Sequence, residues 1–590
     1  MDDRAYPEFS SRYPLLLTTL MKRPVALYPE QIGVVYRHHQ TGHYTRLTWR
    51  QWHERVCRLA NALTGPLGVR PGAPPALGDR VGTMAFNTHR HLELYYAVPG
   101  VGATLHAINI RLSPEHVAYT IRHAQDHTLF VDDTALPLLD AIWDKVSDVV
   151  RQVVVMSDDP GLPASRIPGL IAYEDLIAAE SAEHAWAYLD ENTNATLCYT
   201  TGTTGLPKGA VFTHRQLYLM ALHSLAAQSM SNTPAHSTQE RLGENTVPLL
   251  NTPLFHAHGW GAPFTSVFCA QKVVLPGTFT VQGFCELVQT EKVTSVGVVP
   301  TIAAMLVAYP ELHRYDLSSL TRVGVGGGAL PLGLKAKLEK LLPSFQVSSG
   351  YGMTETAPVA ITAFVKKHMV DWGKARVDEM MVKTGIPIPG LEVQVVDESG
   401  RPVARDGQSI GEIVMRGPWV TERYYENAEK TAEVWHDGWF HTGDIATVDS
   451  EGIIVIADRI KDVIRSGAEM VPTVLLENLI AMADFVLEAT VVGVPDPIWG
   501  ERPLALVQIR QGFDATEADV VDFLVEHGVR TGKITAWMVP RLVALVDQIP
   551  RTSVGKFDKK AVRERIDEFV ALAREVPPRE AADAPAAIRS

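Results

Sequence analysis

Cysteine is scarce in this chain of 590 residues, which contains four: Cys57, Cys198, Cys269 and Cys285. They stand far apart and show no paired metal-ligand spacing, which argues against both a disulfide framework and a cysteine-based zinc site. We interpret them as buried thiols of a protein that resides in a reducing compartment.

Long apolar runs and an excess of positive charge are also missing. The N-terminus, Met-Asp-Asp-Arg-Ala-Tyr-Pro, lacks an apolar core of signal-peptide length, and no segment has the roughly eighteen uninterrupted apolar residues of a membrane span. The net charge is −13, and the 54 Lys and Arg residues are scattered rather than clustered, which disfavours nucleic acid as a partner. We expect a cytoplasmic protein with no integral membrane segment and no nucleic-acid partner.

What the chain does contain is an ordinary globular composition, with 46% hydrophobic and 21% charged residues, in a length that calls for more than one core. Short β-rich runs alternate with amphipathic helical patterns. Strands are predicted at 128–131, 152–156, 293–298 and 322–325, and helices at 48–63 and 114–123. This alternation predicts an α/β fold with parallel sheets.

The pattern changes twice towards the C-terminus. Residues 387–456 carry short strands with glycine-containing turns, which predict a small β-barrel or sheet that completes a large N-terminal domain, residues 1–460. Residues 461–570 have their own alternation of strand and helix, typical of a small α+β domain. Residues 571–590 are rich in Pro, Ala and charge without periodicity, which predicts a disordered tail.

The most informative segment is Thr200–Gly209, Thr-Thr-Gly-Thr-Thr-Gly-Leu-Pro-Lys-Gly, which follows the apolar run Ala195–Tyr199. Small residues let backbone N–H groups approach an anion, threonine hydroxyls add donors or a metal ligand, and Lys208 adds a positive charge. The segment differs from the P-loop of nucleotide triphosphatases, because Gly209 rather than Ser or Thr follows the lysine. It predicts a phosphate-binding loop and a nucleotide substrate.

Five further segments follow in a fixed order, and together the six resemble the motifs of the adenylate-forming superfamily. They are Gly326–Gly328, Ser349–Thr356, His441–Asp444, Asp458–Asp462 and Pro550–Lys556. The resemblance runs from about Arg23 to about Ile566 and is nearest to bacterial medium- and long-chain fatty acyl-CoA synthetases. It implies a large α/β N-terminal domain with a small β-barrel subdomain, and a small mobile C-terminal α+β lid that rotates between two half-reactions.

The resemblance also implies residue roles in ATP binding. The nucleotide-binding residues would be Thr200, Thr201, Gly202, Thr203, Thr204, Lys208, Gly327, Gly328, Ser349, Gly350, Tyr351, Gly352, Thr354, Asp444 and Arg459. Glu355 and Thr200 would hold Mg²⁺, a hard cation that prefers oxygen ligands. Lys556 would bridge the carboxylate and the α-phosphate during adenylation, and Lys461 would occupy the hinge.

The segment Pro253–Trp260 resembles the wall of the acid pocket in this superfamily. His256 would sit beside the reacting carboxylate, and Trp260 would act as a gate to an acyl tunnel. His258 replaces a common asparagine and Ala303 stands where a tryptophan is common, so both would line the pocket and alter acid selectivity.

The segment that should serve CoA departs from the near relatives. Arg465 stands where they carry a lysine, and Gly467-Ala468-Glu469-Met470 replaces Gly-Gly-Glu-Trp. Arg keeps the charge with another geometry, and Ala468 adds a Cβ where backbone approaches a ligand.

Our main interpretation is therefore an ATP- and Mg²⁺-dependent ligase that forms an acyl-adenylate and then a CoA thioester, acting on a medium- or long-chain fatty acid or an aryl acid. The alternative keeps adenylation with another acceptor, as in an ATP-dependent diazotase that activates nitrite or an acyl-AMP ligase. A homodimer is a further expectation from the resemblance.

Overall fold

The computed structural model describes residues 13–38, 40–200, 206–230, 245–342, 346–467, 469–551 and 557–576. The strands are β1 Ile32–Arg37, β2 Tyr44–Thr48, β3 Arg80–Met84, β4 Thr104–Ala107, β5 Asp126–Asp132, β6 Gln152–Met156, β7 Ile171–Ala172, β8 Asn194–Tyr199, β9 Gly209–Thr213, β10 Pro248–Leu249, β11 Val273–Leu275, β12 Ser295–Val298, β13 Arg322–Val325, β14 Gln346–Gly352, β15 Val359–Thr362, β16 Ile386–Pro387, β17 Glu392–Val396, β18 Gly411–Arg416, β19 Trp435–His436, β20 Trp439–Val448, β21 Ile454–Arg459, β22 Ile464–Ser466, β23 Glu469–Val471, β24 Val486–Asp496, β25 Gly500–Ile509, β26 Leu542–Leu545 and β27 Arg574–Glu575.

The helices are α1 Leu17–Leu20, α2 Lys22–Leu27, α3 Trp49–Thr64, α4 His89–Gly100, α5 Pro114–Ala124, α6 Leu136–Val146, α7 Tyr173–Ala178, α8 His214–Ser229, α9 Ala257–Trp260, α10 Ala262–Phe268, α11 Val281–Glu291, α12 Pro300–Ala308, α13 Leu332–Leu341, α14 Lys374–Met381, α15 Ala428–Val434, α16 Thr473–Ile480, α17 Glu517–Leu524, α18 Lys559–Glu564 and α19 Ile566–Leu572. Short 3₁₀ turns connect several of them, among them Thr354–Thr356.

The chain divides into two compact units. The first comprises residues up to Leu330 together with Leu334–Val393 and Met415–His441, and the second comprises Pro331–Gly333, Gln394–Val414 and Thr442–Ser590. Neither unit is one continuous stretch of chain, and the predicted boundary between residues 460 and 461 stays a prediction.

The first unit is built on two large sheets. One has the strand order β7-β6-β5-β3-β4-β8-β9, and its strands run parallel except for the antiparallel pair β8 and β9. The other has the order β16-β15-β14-β13-β12-β10-β11-β1-β2, with a parallel centre and antiparallel edges. Parallel sheets have both faces covered by helices, and buried apolar side chains such as Val131, Val155, Val296 and Val323 form the cores.

A smaller sheet contains β17, β18, β20, β19 and β21, and β20 pairs antiparallel with both β19 and β21. The second unit also holds a sheet in the order β23-β22-β25-β26-β27, in which the long strand β24 pairs antiparallel with β25. Helices α16 and α17 pack on this sheet around Leu476, Val491 and Val520.

Local sequence signals account for several element boundaries. Thr48 caps helix α3, since its side chain accepts from the Gln51 N–H while the Gln51 side chain accepts from the Thr48 N–H. The strands predicted at 152–156 and 322–325 are β6 and β13, and the predicted helices correspond to α3 and α5 within one or two residues. Among the described residues no helix is both long and apolar enough to cross a membrane.

Candidate active site

The phosphate-loop segment lies between the antiparallel strands β8 and β9. At its base the Thr200 N–H donates to the Lys208 carbonyl at 2.8 Å, and the Lys208 N–H donates to Thr200 Oγ1 at 3.3 Å. Gly209 fits closely here, since a Cβ would lie 2.8 Å from Leu197 Cδ1 and 3.2 Å from the Tyr199 ring. The predicted residues Thr201, Gly202, Thr203 and Thr204 lie outside the described residues.

Three segments far apart in the chain bring Glu355, Tyr424 and Lys208 together. Glu355 belongs to the 3₁₀ turn after β14 and is 4% exposed. The Tyr424 hydroxyl donates to Glu355 Oε1 at 2.5 Å, and Lys208 Nζ lies 4.9 Å from the centre of the Tyr424 ring. Burial and the nearby Glu355 carboxylate raise the pKa of Tyr424, so the phenol remains a donor near neutral pH.

Two hydrogen bonds from Thr421, one from its N–H and one from its hydroxyl, connect this cluster to β9. The Thr421 N–H donates to the Glu355 carbonyl at 2.8 Å, and the Thr421 hydroxyl donates to the Val211 carbonyl on β9, also at 2.8 Å. Tyr424 itself forms an isolated antiparallel bridge with Ala210 of β9. The strand that leaves the phosphate loop and the segment that carries Tyr424 are therefore fixed to one another.

The glycine loop and the central motif meet because β13 and β14 are parallel neighbours. Val325 at the end of β13 is in register with Ser349 on β14, so the glycine loop that begins at Gly326 starts next to the Ser349–Gly350 segment. Gly327 has a φ of 76°, a conformation that favours glycine.

The remaining members of the central motif Ser349–Thr356 that were assigned to the nucleotide are Tyr351, Gly352 and Thr354. The ring of Tyr351 is half-buried, Gly352 passes so close to Pro358 that a Cβ would clash with its carbonyl, and Thr354 starts the 3₁₀ turn.

The predicted wall of the acid pocket contains α9, whose backbone is left-handed and therefore forms a turn rather than an ordinary right-handed helix. Residues 257–261 all have positive φ, with values of 43° at Ala257, 56° at His258 and Gly259, 58° at Trp260 and 76° at Gly261. The Trp260 indole lies on β12 and the glycine loop, since a Cβ at Gly297 or Gly326 would come within 3.0 Å or 2.9 Å of the ring. His256 at the start of the turn is half-buried.

The two residues singled out as unusual in this pocket have no exposed side chain. His258 is 0% exposed, with Nε2 2.7 Å from Thr196 Oγ1 and 3.4 Å from Cys198 Sγ. Ala303 on α12 is also 0% exposed. The sequence predicted both in the pocket lining, whereas the structure packs His258 against strand β8.

The second unit carries the predicted ribose and hinge residues. Asp444 on β20 is in register with Arg459 on β21, and Arg459 Nε lies 3.1 Å from Asp444 Oδ1. Asp444 is 5% exposed, while the Arg459 side chain is about half exposed. Burial and the neighbouring Arg459 lower the pKa of Lys461, which follows in the next turn.

Arg465 and Met470 lie directly opposite each other on the β22–β23 hairpin, and both side chains are exposed. The Arg465 N–H donates to Glu501 Oε2 at 2.9 Å. At the tip Gly467 has a φ of 66° and its N–H donates to the Trp499 carbonyl, and the Trp499 indole is 43% exposed. Ala468 and Lys556 lie outside the described residues.

Sequence reasoning missed Tyr424. Nothing in the local pattern Glu-Arg-Tyr-Tyr-Glu marks it, and its importance depends on contacts with Lys208 and Glu355, which are distant in the chain. The one available signal was its position inside the predicted β-rich subdomain, between the motifs Ser349–Thr356 and His441–Asp444.

Solved structures of adenylate-forming enzymes share this fold. The anthranilate CoA ligase AuaEII, in complex with anthranoyl-AMP, superposes with a TM-score of 0.79 over 94% of this chain and 98% of that chain, at 23% identity. The amide bond synthetase McbA from Marinactinospora thermotolerans gives a TM-score of 0.75 over 93% and 99%, at 26% identity. The predicted fold class, a large N-terminal α/β domain followed by a smaller C-terminal domain, is confirmed.

The sequence comparison defines the family. The AMP-binding enzyme family matches residues 21–425, and the AMP-binding enzyme C-terminal domain matches residues 475–556. The long-chain-fatty-acid–CoA ligase of Thermus thermophilus is 40% identical over 96% of this chain and 98% of its own length. The medium-chain-fatty-acid–CoA ligase of Ectopseudomonas oleovorans is 34% identical over 90% and 92%. The chain belongs to the AMP-binding enzyme family, which confirms the resemblance drawn from the six motifs.

Proposed function

We propose that this protein is an AMP-forming acid:CoA ligase, which converts a carboxylic acid and ATP into an acyl-adenylate and pyrophosphate and then transfers the acyl group to CoA. The observation that carries the proposal is similarity along nearly the whole chain to relatives named as fatty-acid CoA ligases, at 34% and 40% identity. A 3-methylmercaptopropionyl-CoA ligase of Ruegeria lacuscaerulensis is also 36% identical. Because the names of these relatives span different acids, the acid class stays broad, a medium- or long-chain fatty acid or an aryl acid.

ATP is bound in the first unit by the strand ends around β8, β13 and β14. The loop after β8 supplies backbone donors and Lys208 for the phosphates, as its composition predicts. Gly327, Gly328 and the Ser349–Gly352 backbone are assigned to the adenine side, and the Tyr351 ring is assigned to stacking on the base. By likeness to the family, Asp444 is assigned to the ribose hydroxyls, and Arg459 neutralises its carboxylate.

The Mg²⁺ that the family implies fits the residues present. Glu355 offers a buried carboxylate that Tyr424 orients, and Thr200 offers a hydroxyl oxygen, which are hard ligands of the kind that Mg²⁺ prefers. An ion held by these two residues would neutralise charge on phosphate oxygens. Lys208, beside the same tyrosine, adds a second positive charge.

The acid would enter against the turn that carries His256 and Trp260. His256 is half-buried at the start of the turn, where its ring can donate to the carboxylate. The Trp260 indole borders the glycine loop through Gly326, so an acyl chain that displaced it would lie next to the nucleotide. Lys556 then stabilises the charge that develops between carboxylate and α-phosphorus.

The transfer to CoA is assigned, by likeness to the family, to a step that depends on the hinge residue Lys461 and on the β22–β23 hairpin. Arg465 is exposed on that hairpin and available to a phosphate-bearing acceptor. The alternative of a non-CoA acceptor is supported by the departures at Arg465–Met470 and at His258, and by the 26% identity to the amide bond synthetase McbA. The CoA ligases are more similar and cover the chain equally well, so CoA is preferred. A homodimer and a cytoplasmic location stay predictions.

The reaction is tested by mass spectrometry of products from purified protein with ATP, Mg²⁺ and a panel of fatty and aryl acids, with and without CoA. Additional samples contain nitrite and an aromatic amine. We expect an acyl-CoA thioester and AMP only where acid and CoA are both present. AMP formation that is indifferent to CoA, with an amide or diazo product, would overturn the proposal.

Replacing Tyr424 by phenylalanine is expected to weaken Mg²⁺ use. The change removes the hydrogen bond that orients Glu355, and a bond to a charged group contributes about 1.5–3 kcal/mol. We expect the Mg²⁺ concentration for half-maximal pyrophosphate release to rise about tenfold or more. The control is Tyr425→Phe, because Tyr425 is half-buried and contacts the His123 ring rather than Glu355. An equal effect of both variants would count against the assignment.

Replacing Arg465 by alanine is expected to separate the two half-reactions. Its side chain is exposed on the β22–β23 hairpin, so the change removes a positive charge without opening a core. We expect thioester formation to fall about tenfold, while pyrophosphate release without CoA stays at the wild-type rate. Arg401→Ala, an exposed arginine paired with Asp397, serves as the control. If both half-reactions slow equally, Arg465 does not act in the transfer to CoA.

A further inference from the structure

The turn at residues 257–261 is held in a conformation that L-residues avoid. Ala257, His258 and Trp260 are not glycines, yet each has a φ between 43° and 58°. A single residue in the left-handed region is common enough in turns, but consecutive ones are unfavourable because each Cβ approaches the following carbonyl oxygen. Such strain persists only where the surroundings determine the conformation.

His258 is the side chain that ties this turn to the protein interior. It is 0% exposed and lies among three aromatic rings, those of Tyr95, Phe212 and Phe264. Its Nε2 lies 2.7 Å from the Thr196 hydroxyl oxygen and 3.4 Å from Cys198 Sγ. Burial lowers the pKa of His258 to about 3, so the imidazole is neutral and makes this contact as a hydrogen bond without charge.

The partners of His258 belong to the strand that leads into the phosphate loop. Thr196 and Cys198 are alternate residues of β8 and therefore share one face of the strand. Thr200, at the base of the loop, follows two residues after Cys198. On the other side of the turn, the Trp260 indole rests on Gly297 and Gly326. His258 thus stands between the strand before the phosphate loop and the tryptophan that borders the glycine loop.

We propose that His258 is a positioning residue, which fixes the strained turn to β8 and so sets where the Trp260 indole lies and which acids fit beside it. This inference rests on the proposed acid-activating function. His258 does not touch the acid, because its side chain has no exposed surface. It acts through Trp260, and its effect depends on a side chain long enough to form the hydrogen bond with Thr196.

Two replacements of His258 test whether the hydrogen bond to Thr196 matters, because one can keep that bond and the other cannot. The amide of His258→Gln extends about as far as the imidazole Nε2, so it can keep the bond to Thr196. The shorter amide of His258→Asn cannot. Thr196→Val removes the same bond from the other partner while leaving the turn untouched, since valine and threonine have nearly the same shape. His258→Asn and Thr196→Val are also combined in one chain, where the effects of two partners in one hydrogen bond are expected to be non-additive.

The measured quantities are KM and kcat for straight-chain acids of increasing length, KM for ATP, and the melting temperature. For His258→Asn and Thr196→Val we expect KM for the preferred acid to rise about tenfold, with a changed ratio of kcat/KM between short and long acids. KM for ATP is expected to change less than about twofold, and His258→Gln to remain within about threefold of wild type. A fall in melting temperature with an unchanged acid profile would overturn the inference, because a purely structural role predicts that result.

A second readout needs no turnover. The emission of Trp260 is obtained as the difference between each protein and its Trp260→Phe counterpart, and we expect a shift in that spectrum with Thr196→Val but not with His258→Gln. Spectra that are the same in all variants would also overturn the inference. The dependence of KM and kcat on acid length is measured by pyrophosphate release, which belongs to the first half-reaction. A protein that forms adenylates but no thioester would therefore refute the proposed transfer to CoA without affecting this test.

Discussion

Replacing Glu355 by glutamine is expected to lower the rate of pyrophosphate release about 10²-fold or more, on the scale of losing one preorganised electrostatic contact. The glutamine has the same shape and can still accept from the Tyr424 hydroxyl, which now lies 2.5 Å from the carboxylate. What is lost is the negative charge, and an amide is a far poorer Mg²⁺ ligand than a carboxylate. The melting temperature is expected to hold, because burying a neutral amide costs less than burying a charge.

The matched control for this variant is Glu422→Gln. Glu422 is an exposed carboxylate two residues from Tyr424, so it tests whether removing any nearby negative charge has the same effect. Metal binding is read directly by electron paramagnetic resonance of Mn²⁺ in the presence of a non-hydrolysable ATP analogue. Weaker Mn²⁺ binding in Glu355→Gln alone supports the assignment, whereas wild-type binding together with a wild-type rate would remove Glu355 from the metal site.

The sequence predicted the parts of this protein that depend on local chemistry. Strands β6 and β13 occur at the residues predicted, because runs of β-branched residues between turns are local signals. The segment Thr200–Gly209 lies between strands β8 and β9. Its role as a phosphate-binding loop, which its small residues and lysine predict, stays a prediction. The order of the six motifs predicted the family, since each motif is a short segment that can be read without the fold.

Contacts between distant segments were not predictable in the same way. Tyr424 meets Glu355 across 69 positions, and no periodicity relates the two. His258 was predicted to line the acid pocket because its neighbours His256 and Trp260 belong to the pocket segment. A turn with positive φ at five consecutive residues has neither helical nor strand periodicity, so the sequence could not indicate that His258 packs against Thr196.

Replacing Lys556 by alanine is expected to have the other large effect, a loss of adenylate formation of about 10²–10³-fold with ATP binding largely retained. The reason is chemical: two anionic groups, the carboxylate and the α-phosphate, must approach one another, and the ammonium offsets the charge that develops between them. ATP binding is retained because the nucleotide contacts proposed above involve other residues. Pyrophosphate release and equilibrium binding of ATP are measured on the same preparation.

Lys560→Ala is the matched control for this variant, because Lys560 is a half-exposed lysine on α18 that pairs with Glu564. Lys559 is unsuitable, since it is buried beside Glu477 with Nζ 2.8 Å from the carboxylate. Arg551 and Phe557, which flank residues 552–556, form an antiparallel bridge, and the Asp558 N–H donates to the Pro550 carbonyl at 2.9 Å. Those flanking contacts are independent of the Lys556 side chain, so the variant is expected to keep its melting temperature. Wild-type pyrophosphate release by Lys556→Ala would therefore refute the adenylation role rather than report a folding defect.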